Sequence, residues 1–360
     1  MAVTETTAVA VGRFARFPAR KAIQWLIACV VCVSAAYGAY RTLSSGSFSG
    51  AAWRDLVVFG VAQGSIYALI ALGYSMVYGV LRMINFAHGE VFTAGAFGSY
   101  FVARSLAAHG MMDSNPILSI AILLVVAMAV SVGIALLLER IAYRPLRNAP
   151  RLVPLITAIG ASLFLQNTYR GFFGAEAKGY ATPSSLSGTW TIFGVPILKT
   201  QLVVMIVTVI AIVTLQWFVS RTKTGKSMRA VAEDKEIASL MGIDVDRVIV
   251  VTFAIGGLLA GVAAVLFALV FQVIDPFMGF VPGIVAFTAA VLGGIGSIAG
   301  AALGGLVLGL LESVGPSLFL TGLGVPGANQ LRGAISFTIL VLVLIFRPGG
   351  ILGTGEAEKV

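Results

Sequence analysis

Apolar residues run through this chain in blocks rather than stripes. The stretches 22–40, 56–80, 86–107, 117–138, 153–170, 201–219, 248–272 and 331–346 are nearly free of charge, and short polar intervals separate them. An α-helix needs about 20 mainly apolar residues to cross a hydrocarbon core about 30 Å thick. The pattern therefore predicts an all-α polytopic membrane protein. The stretch 281–311 would be about 46 Å long as one straight helix, and Gly293, Gly294, Gly296 and Ser297 interrupt it. It is expected to form two short helices, 281–292 and 298–311, meeting at a glycine turn. Such backbone is tolerated at membrane depth only where protein or water satisfies it. Ten segments result.

Composition agrees, with 58% hydrophobic and 11% charged residues against roughly 45–50% and 25% in soluble domains. The formal charge of +9 sits at the ends of apolar runs, without the continuous basic face that nucleic acid requires. It reports membrane orientation instead. One set of loops holds 17 of the 24 Lys and Arg residues and the other holds 7, which places loops 139–152 and 220–247 in the cytoplasm. With the glycine stretch as a hairpin, both termini are cytoplasmic.

The first apolar run follows Arg13, Arg16, Arg20 and Lys21 and is longer than a signal-peptide core. It reads as a retained signal anchor, so residues 1–50 form a cytoplasmic tail and an extra span. Residues 51–360 then make one transmembrane domain. Cys29 and Cys32 have CxxC spacing inside this run, but no second pair completes a metal site. They read as lipid-facing or packing thiols. The outward loop 171–199, rich in Gly, Ser, Thr and Pro, is expected to contain turns and short strands.

The motifs for soluble chemistry fail on inspection. Ser220–Ser227 (SRTKTGKS) ends like a phosphate-binding loop, but Ser220 replaces the first glycine and a membrane helix precedes it. The run from Gly294 to Ala299 fits a loose dinucleotide pattern without the βαβ unit or the acidic residue that follows it. The spacing of Gly296, Gly300 and Gly304, and of Gly257 with Gly261, instead suits close helix packing in lipid. No metal-ligand cluster or nucleophile motif is present in the sequence, so no catalysis, metal or cofactor is expected.

Two polar regions stand out. Asn85, His88 and Glu90, in NFAHGE, lie about one turn inside a membrane boundary by this reading, where a carboxylate faces a bundle interior or an aqueous path. They form either a brace, held by Gln63, Ser65 or Tyr67 on the preceding span, or a translocation path containing Gln63, Tyr67, Asn85, His88 and Glu90. Other intramembrane charges are scarce, unlike in ion-coupled carriers, so the driving force is expected to come from outside the chain. The second region is the cytoplasmic loop 220–247. Met228–Met241 reads as an amphipathic helix, with Val231, Ile237, Ala238 and Met241 apolar among Glu233, Asp234, Lys235 and Glu236, and Gly242 suited to a left-handed cap. Its acidic residues favour a protein partner over the bilayer surface.

The order Glu236, Ala238, Gly242 resembles the loop by which permeases of ATP-binding-cassette importers dock on their ATPases, although Ile237 replaces the usual second alanine. The strings GSIYALIALGYSMVYGVLRMINFAHGE (64–90), ERIAYRPLR (139–147), RAVAEDKEIASLMGIDVDRVIVVTF (229–253) and FTAAVLGGIGSIAGAALGGLVLG (287–309) resemble the branched-chain amino acid importer permease family, most closely the first of its two homologous membrane subunits. The resemblance covers residues 53–360 and implies about eight core segments, leaving the first span as an extra. It implies a bacterial inner-membrane location, a second homologous permease, two cytoplasmic ATPases that bind the ATP, and a periplasmic binding protein for leucine, isoleucine or valine. Glu233, Asp234, Glu236, Ala238 and Gly242 would transmit force, and the outer charges Glu176, Lys178 and Asp275 would meet the binding protein. Urea, short amides or another amino acid as cargo, an ion-coupled carrier or channel, and a membrane enzyme are the competing readings.

Overall fold

The computed structural model describes residues 19–353 apart from Asn148, Arg151, Phe193 and Pro348. The expected tail with Arg13 and Arg16, the loop residue Arg151 and the terminal Lys359 lie outside the described residues. Among the described residues, thirteen α-helices follow in order. Those long enough to matter in a membrane are α1 (Ala19–Ser44), α2 (Gly50–Leu81), α3 (His88–Ala108), α5 (Pro116–Leu138), α6 (Leu152–Phe173), α7 (Lys199–Arg221), α10 (Val245–Phe271), α11 (Phe280–Gly293), α12 (Ile298–Gly315) and α13 (Arg332–Phe346). Short helices α4 (Met111–Ser114), α8 (Lys223–Glu233) and α9 (Lys235–Leu240) lie in the connections. Each of the ten sequence-predicted segments coincides with one long helix. Among the described residues, eight helices are long and apolar enough to cross a membrane; α3 is more polar and α11 shorter.

The bundle is organised by helices without side chains at their crossings. α2 and α10 are the most buried spans. Gly60 and Gly64 of α2 meet the backbone of Leu306 and Leu310 in α12, so that a Cβ on Gly64 would lie 2.8 Å from the Leu306 Cα. Gly257 and Gly261 of α10 do the same against α5, where a Cβ on Gly261 would stand 2.7 Å from the Ala127 carbonyl oxygen. In lipid, association depends on this kind of close backbone approach and dispersion rather than on water exclusion. Peripheral helices bury little: Ser336 alone is buried among the residues of α13. Cys29 and Cys32 of α1 are exposed and unpaired.

The glycine stretch folds as a hairpin. α11 ends at Gly293, Gly294 and Gly296 take positive φ of 107° and 91°, and Ser297 caps α12 by accepting from the Gly300 N–H at 3.1 Å. Gly293, Gly300 and Gly304 let α12 lie directly on α11, where Gly304 faces the Ala289 carbonyl. The exposed carbonyl end of α11 is satisfied by protein. Ile351 N–H donates to Leu292 O at 2.8 Å and Leu352 N–H to Gly293 O at 2.9 Å, so the chain after α13 returns to cap the hairpin.

In the connections between helices, β1 (Lys178–Gly179) pairs antiparallel with β4 (Val273–Ile274), and β2 (Thr189–Ile192) forms a hairpin with β3 (Val195–Leu198). β1, β2 and β3 are the short strands expected in loop 171–199. Asp113 of α4 accepts the Ser184 N–H at 2.7 Å, which holds its carboxyl below the usual aspartate range.

Candidate functional site

The polar residues predicted to share a path occupy separate places. Gln63 and Tyr67, one turn apart on α2, face α12. Tyr67 OH donates to Glu312 Oε2 at 2.7 Å, and Gln63 Nε2 donates to the same oxygen at 3.1 Å. Ser336 of α13 donates to Glu312 Oε1. This cluster ties three helices around one buried carboxylate. It does not include Asn85, His88 or Glu90: Tyr67 and Gly73, beside which His88 lies, are roughly 9 Å apart along α2. Ser65 bonds to Val61 O of its own helix. The expected brace between α2 and NFAHGE through Gln63, Ser65 or Tyr67 is therefore not formed.

Residues 82–87 explain where the second group sits. α2 ends at Arg82, whose φ of 56° turns the chain, and His88 opens α3. The intervening backbone lacks regular helix or strand and closes a turn from His88 N–H to Asn85 O at 3.1 Å; it folds back along α2, because His88 lies against Gly73, about 12 Å before the end of that helix. Glu90 consequently meets the middle of α6, deeper than the one turn expected from sequence. Gln166 Nε2 donates to Glu90 Oε1 at 2.7 Å and Ser162 Oγ at 3.2 Å. Tyr169 OH donates to the Glu90 backbone carbonyl at 3.1 Å. Glu90 is 1% exposed, yet its Oε2 has no partner among the described residues, nor has His88 Nε2. His88 packs edge-on to Tyr74, with ring centroids 4.8 Å apart.

Asn85 anchors this entry segment. Its Oδ1 accepts from Tyr143 OH at 2.7 Å, and Tyr143 lies in a π-helical turn, Glu139–Tyr143, that continues α5. Four residues on, Arg147 pairs with both Glu139 and Asp246, and Arg144 Nη2 reaches Asp246 at 3.2 Å. The ERIAYRPLR string is thus a clamp between α5, the segment 82–87 and the start of α10.

The loop 220–247 contains two helices, not one. Asp234 has extended backbone angles and caps α9 by accepting from Glu236 N–H at 2.8 Å and Ile237 N–H at 2.9 Å. A capping aspartate satisfies the free amides of a new helix more readily than it continues an old one, which accounts for the break. Gly242 follows α9 with φ of 82°. The apolar positions also divide. Met228, Val231 and Ala238 are buried, whereas Ile237, Leu240 and Met241 are 60%, 87% and 78% exposed, beside the exposed carboxylates of Glu233, Asp234 and Glu236. Two contacts join this loop to the end of α2: Lys235 Nζ to Leu81 O at 3.4 Å and Arg82 Nη2 to Ala232 O at 3.5 Å. Lost hydration, then the charges of Arg147 and Arg82, hold the Lys235 ammonium below its ordinary lysine value.

Residues 56–344 match the family model described as the branched-chain amino acid transport system / permease component. The chain belongs to this family. It is 45% identical over 309 residues to the high-affinity branched-chain amino acid transport system permease protein BraD of Pseudomonas aeruginosa, covering 84% of this chain and 97% of that one. It is 44% identical over 306 residues to the corresponding protein LivH of Escherichia coli K12, covering 84% and 96%. A metal-chelate-type ABC transporter solved in an inward-facing conformation aligns over 91% of this chain and 99% of its own, with a TM-score of 0.40 and 13% identity; that likeness is too distant to bear on the site. The family match includes the Glu90 and Glu312 clusters, the clamp and the α8–α9 loop, and it leaves α1 outside.

Glu312, Ser162, Gln166, Glu139, Tyr143 and Asp246 were missed in the sequence. Glu312 stands alone within the apolar run 298–320, and Ser162 with Gln166 repeats at i, i+4 in a span, so both signals were available. Asp246 and Tyr143 come together only through the fold.

Proposed function

We propose that this chain is the transmembrane permease subunit of an ATP-driven importer that carries branched-chain amino acids into the cytoplasm by alternating access. The observation that carries this reading is the match to permeases of that cargo at 44–45% identity over almost their whole length. Membership of a permease family supports partners that hydrolyse ATP and deliver cargo. The finer assembly is a second homologous permease, two cytoplasmic ATPases and a periplasmic binding protein, in a bacterial inner membrane. Both termini are cytoplasmic, residues 51–360 are the transport domain, and residues 1–50 are an added tail and anchor.

α9 is the coupling element in this proposal. Its exposed Ile237, Leu240 and Met241, ringed by Glu233, Asp234 and Glu236, suit insertion into a cleft on an ATPase, because such an apolar set facing water calls for a protein cover. Buried Ala238 seats α9 against the bundle, Gly242 turns the chain after it at φ of 82°, and Lys235 and Arg82 pass its displacement to the end of α2 and thence to Asn85, His88 and Glu90. Glu90 lines a cleft of about 260 Å³ between α6 and α11, whose rim residues Ile159, Leu163 and Phe280 are exposed on the surface of the subunit. A carboxylate beneath such a mouth suits a face turned to the second permease and the path, and it is costly against lipid. On the outer side, Lys178 and Asp275 lie next to the β1–β4 pair and offer the binding protein a small charged platform with Glu176.

ATP-dependent uptake of labelled leucine and urea into proteoliposomes holding this chain with its partners tests the assignment. Leucine uptake lost on Gly242→Arg supports both cargo and coupling loop. Uptake of urea alone would overturn the cargo, and leucine uptake without ATPases would overturn the mechanism.

A further inference from the structure

We propose that the slot between α1 and α13 binds an anionic phospholipid, with one acyl chain lying between the two helices and the phosphate beside Arg41 and Arg332. Such a site is independent of the cargo. α1 touches the rest of the molecule at two levels. Near its end, Gly38 packs on the Phe319 carbonyl, where an added Cβ would stand 2.0 Å from the oxygen. Near its start, the Trp25 ring meets that of Phe346, the last residue of α13, with centroids 5.2 Å apart. These two levels are about 20 Å apart along α1. Between them a slot of about 360 Å³ stays open, lined by Ala35 of α1, Leu311 of α12, Phe319, and Ile335, Ile339 and Leu342 of α13. α1 lies outside the family match to residues 56–344, so the slot belongs to the added helix and not to the common core.

The slot suits hydrocarbon and nothing polar. Ser34 and Thr338 are the polar residues on its walls, and each hydroxyl donates within its own helix, Ser34 to Val30 O at 2.7 Å and Thr338 to Ala334 O at 2.7 Å. A cavity without free polar partners stays dry and takes up apolar molecules. Both walls belong to helices long and apolar enough to cross a membrane, so the hydrocarbon at hand is an acyl chain. The α13 wall runs from Leu331 to Leu342, about 17 Å along a helix, which matches the roughly 15 Å that one leaflet contributes to the core. Charge then selects the headgroup. The start of α1 meets the end of α13, so the two helices run antiparallel, and Arg41 in the last turn of α1 shares one end of the slot with Arg332, the first residue of α13. Both are exposed, and neither forms an ion pair among the described residues. Guanidinium groups are well matched to phosphate oxygens, and an anionic headgroup brings no ammonium to oppose them.

The test is photolabelling of the assembled complex in nanodiscs of phosphatidylethanolamine and phosphatidylglycerol, with a diazirine on an acyl chain of one lipid or the other and labelled residues located by fragmentation mass spectrometry. The phosphatidylglycerol probe should mark Ala35, Ile335 and Ile339 several-fold more heavily than Val33 and Tyr37, which are exposed on another face of α1. The phosphatidylethanolamine probe should mark the slot less. Ile339→Trp fills the slot and should remove the label from Ala35 and Ile335 while Val33 and Tyr37 keep theirs and the complex stays assembled. Arg41→Gln combined with Arg332→Gln leaves the slot open and should lower its labelling by phosphatidylglycerol by up to about fivefold for each arginine, the scale of an exposed ion pair. Equal labelling of both faces of α1, or equal labelling of the slot by the two lipids, would overturn the site. So would slot residues left unmarked while Val33 and Tyr37 are labelled, the result expected if the second permease covers the slot.

Discussion

Buried side chains in this molecule act through the company they keep. Glu312 accepts from Gln63, Tyr67 and Ser336, so its removal orphans the Tyr67 and Ser336 hydroxyls on two other helices and leaves Gln63 with Tyr67 OH at 2.6 Å. Glu312→Ala is expected to destabilise the assembled protein by about 1–3 kcal/mol for each buried donor it leaves unsatisfied. Glu312→Gln, which keeps an acceptor oxygen, should cost distinctly less; thermal unfolding in nanodiscs compares them. Tyr143→Phe leaves the Asn85 oxygen unpaired and is expected to cost about 1–3 kcal/mol, read in the same assay. At this scale the sequence was half legible. Asn85, His88 and Glu90 were conspicuous because polar groups in an apolar run must find partners. The identity of the partners was not, because α6 and the turn after α5 supply them from positions 58 to 79 residues away.

Helices and turns were the most readable parts of the chain. Apolar length alone delimits the ten long segments, since bilayer thickness fixes what a spanning helix requires. The hairpin was legible too, because only a glycine turn resolves a stretch that is too long for one span. The break at Asp234 was not, because a helical apolar pattern on both sides hid a side chain that prefers to cap. Gly242 sits at φ of 82°, where any other residue is strained by roughly 1–2 kcal/mol. Gly242→Val should therefore reduce ATP-driven transport more than the amount of permease in the membrane, which immunodetection beside an uptake assay reports. Gly304 faces a carbonyl of α11, so Gly304→Leu is expected to force the hairpin apart and abolish a monodisperse complex on size-exclusion chromatography.

As a whole, the molecule joins a rigid centre, α2 with α10, α5 and α12, to an edge that is only lightly attached. α1 touches this body through Gly38 against Phe319 and Gly322 and through Trp25, whose ring is tilted against Phe346 with centroids 5.2 Å apart, and it lies outside the family match. Removing residues 1–48 is expected to leave ATP-driven leucine uptake intact per molecule inserted; loss of uptake at normal abundance would give the extra span a transport role. Replacing Ile237 and Leu240 together by Asp should abolish co-purification of the ATPases without altering membrane abundance.

The non-helical climb from Arg82 to His88 also gives the molecule a built-in reporter. Among the described residues, the amides of Met83, Ile84 and Asn85 donate to no backbone carbonyl, while those of α2 on one side and α3 on the other are locked in helical ladders. Deuterium should therefore enter this short window orders of magnitude sooner than its neighbours, provided water reaches it. Trapping the transporter at successive stages of nucleotide turnover and reading labelled peptides by mass would turn these three amides into a clock for the wetting of the membrane interior.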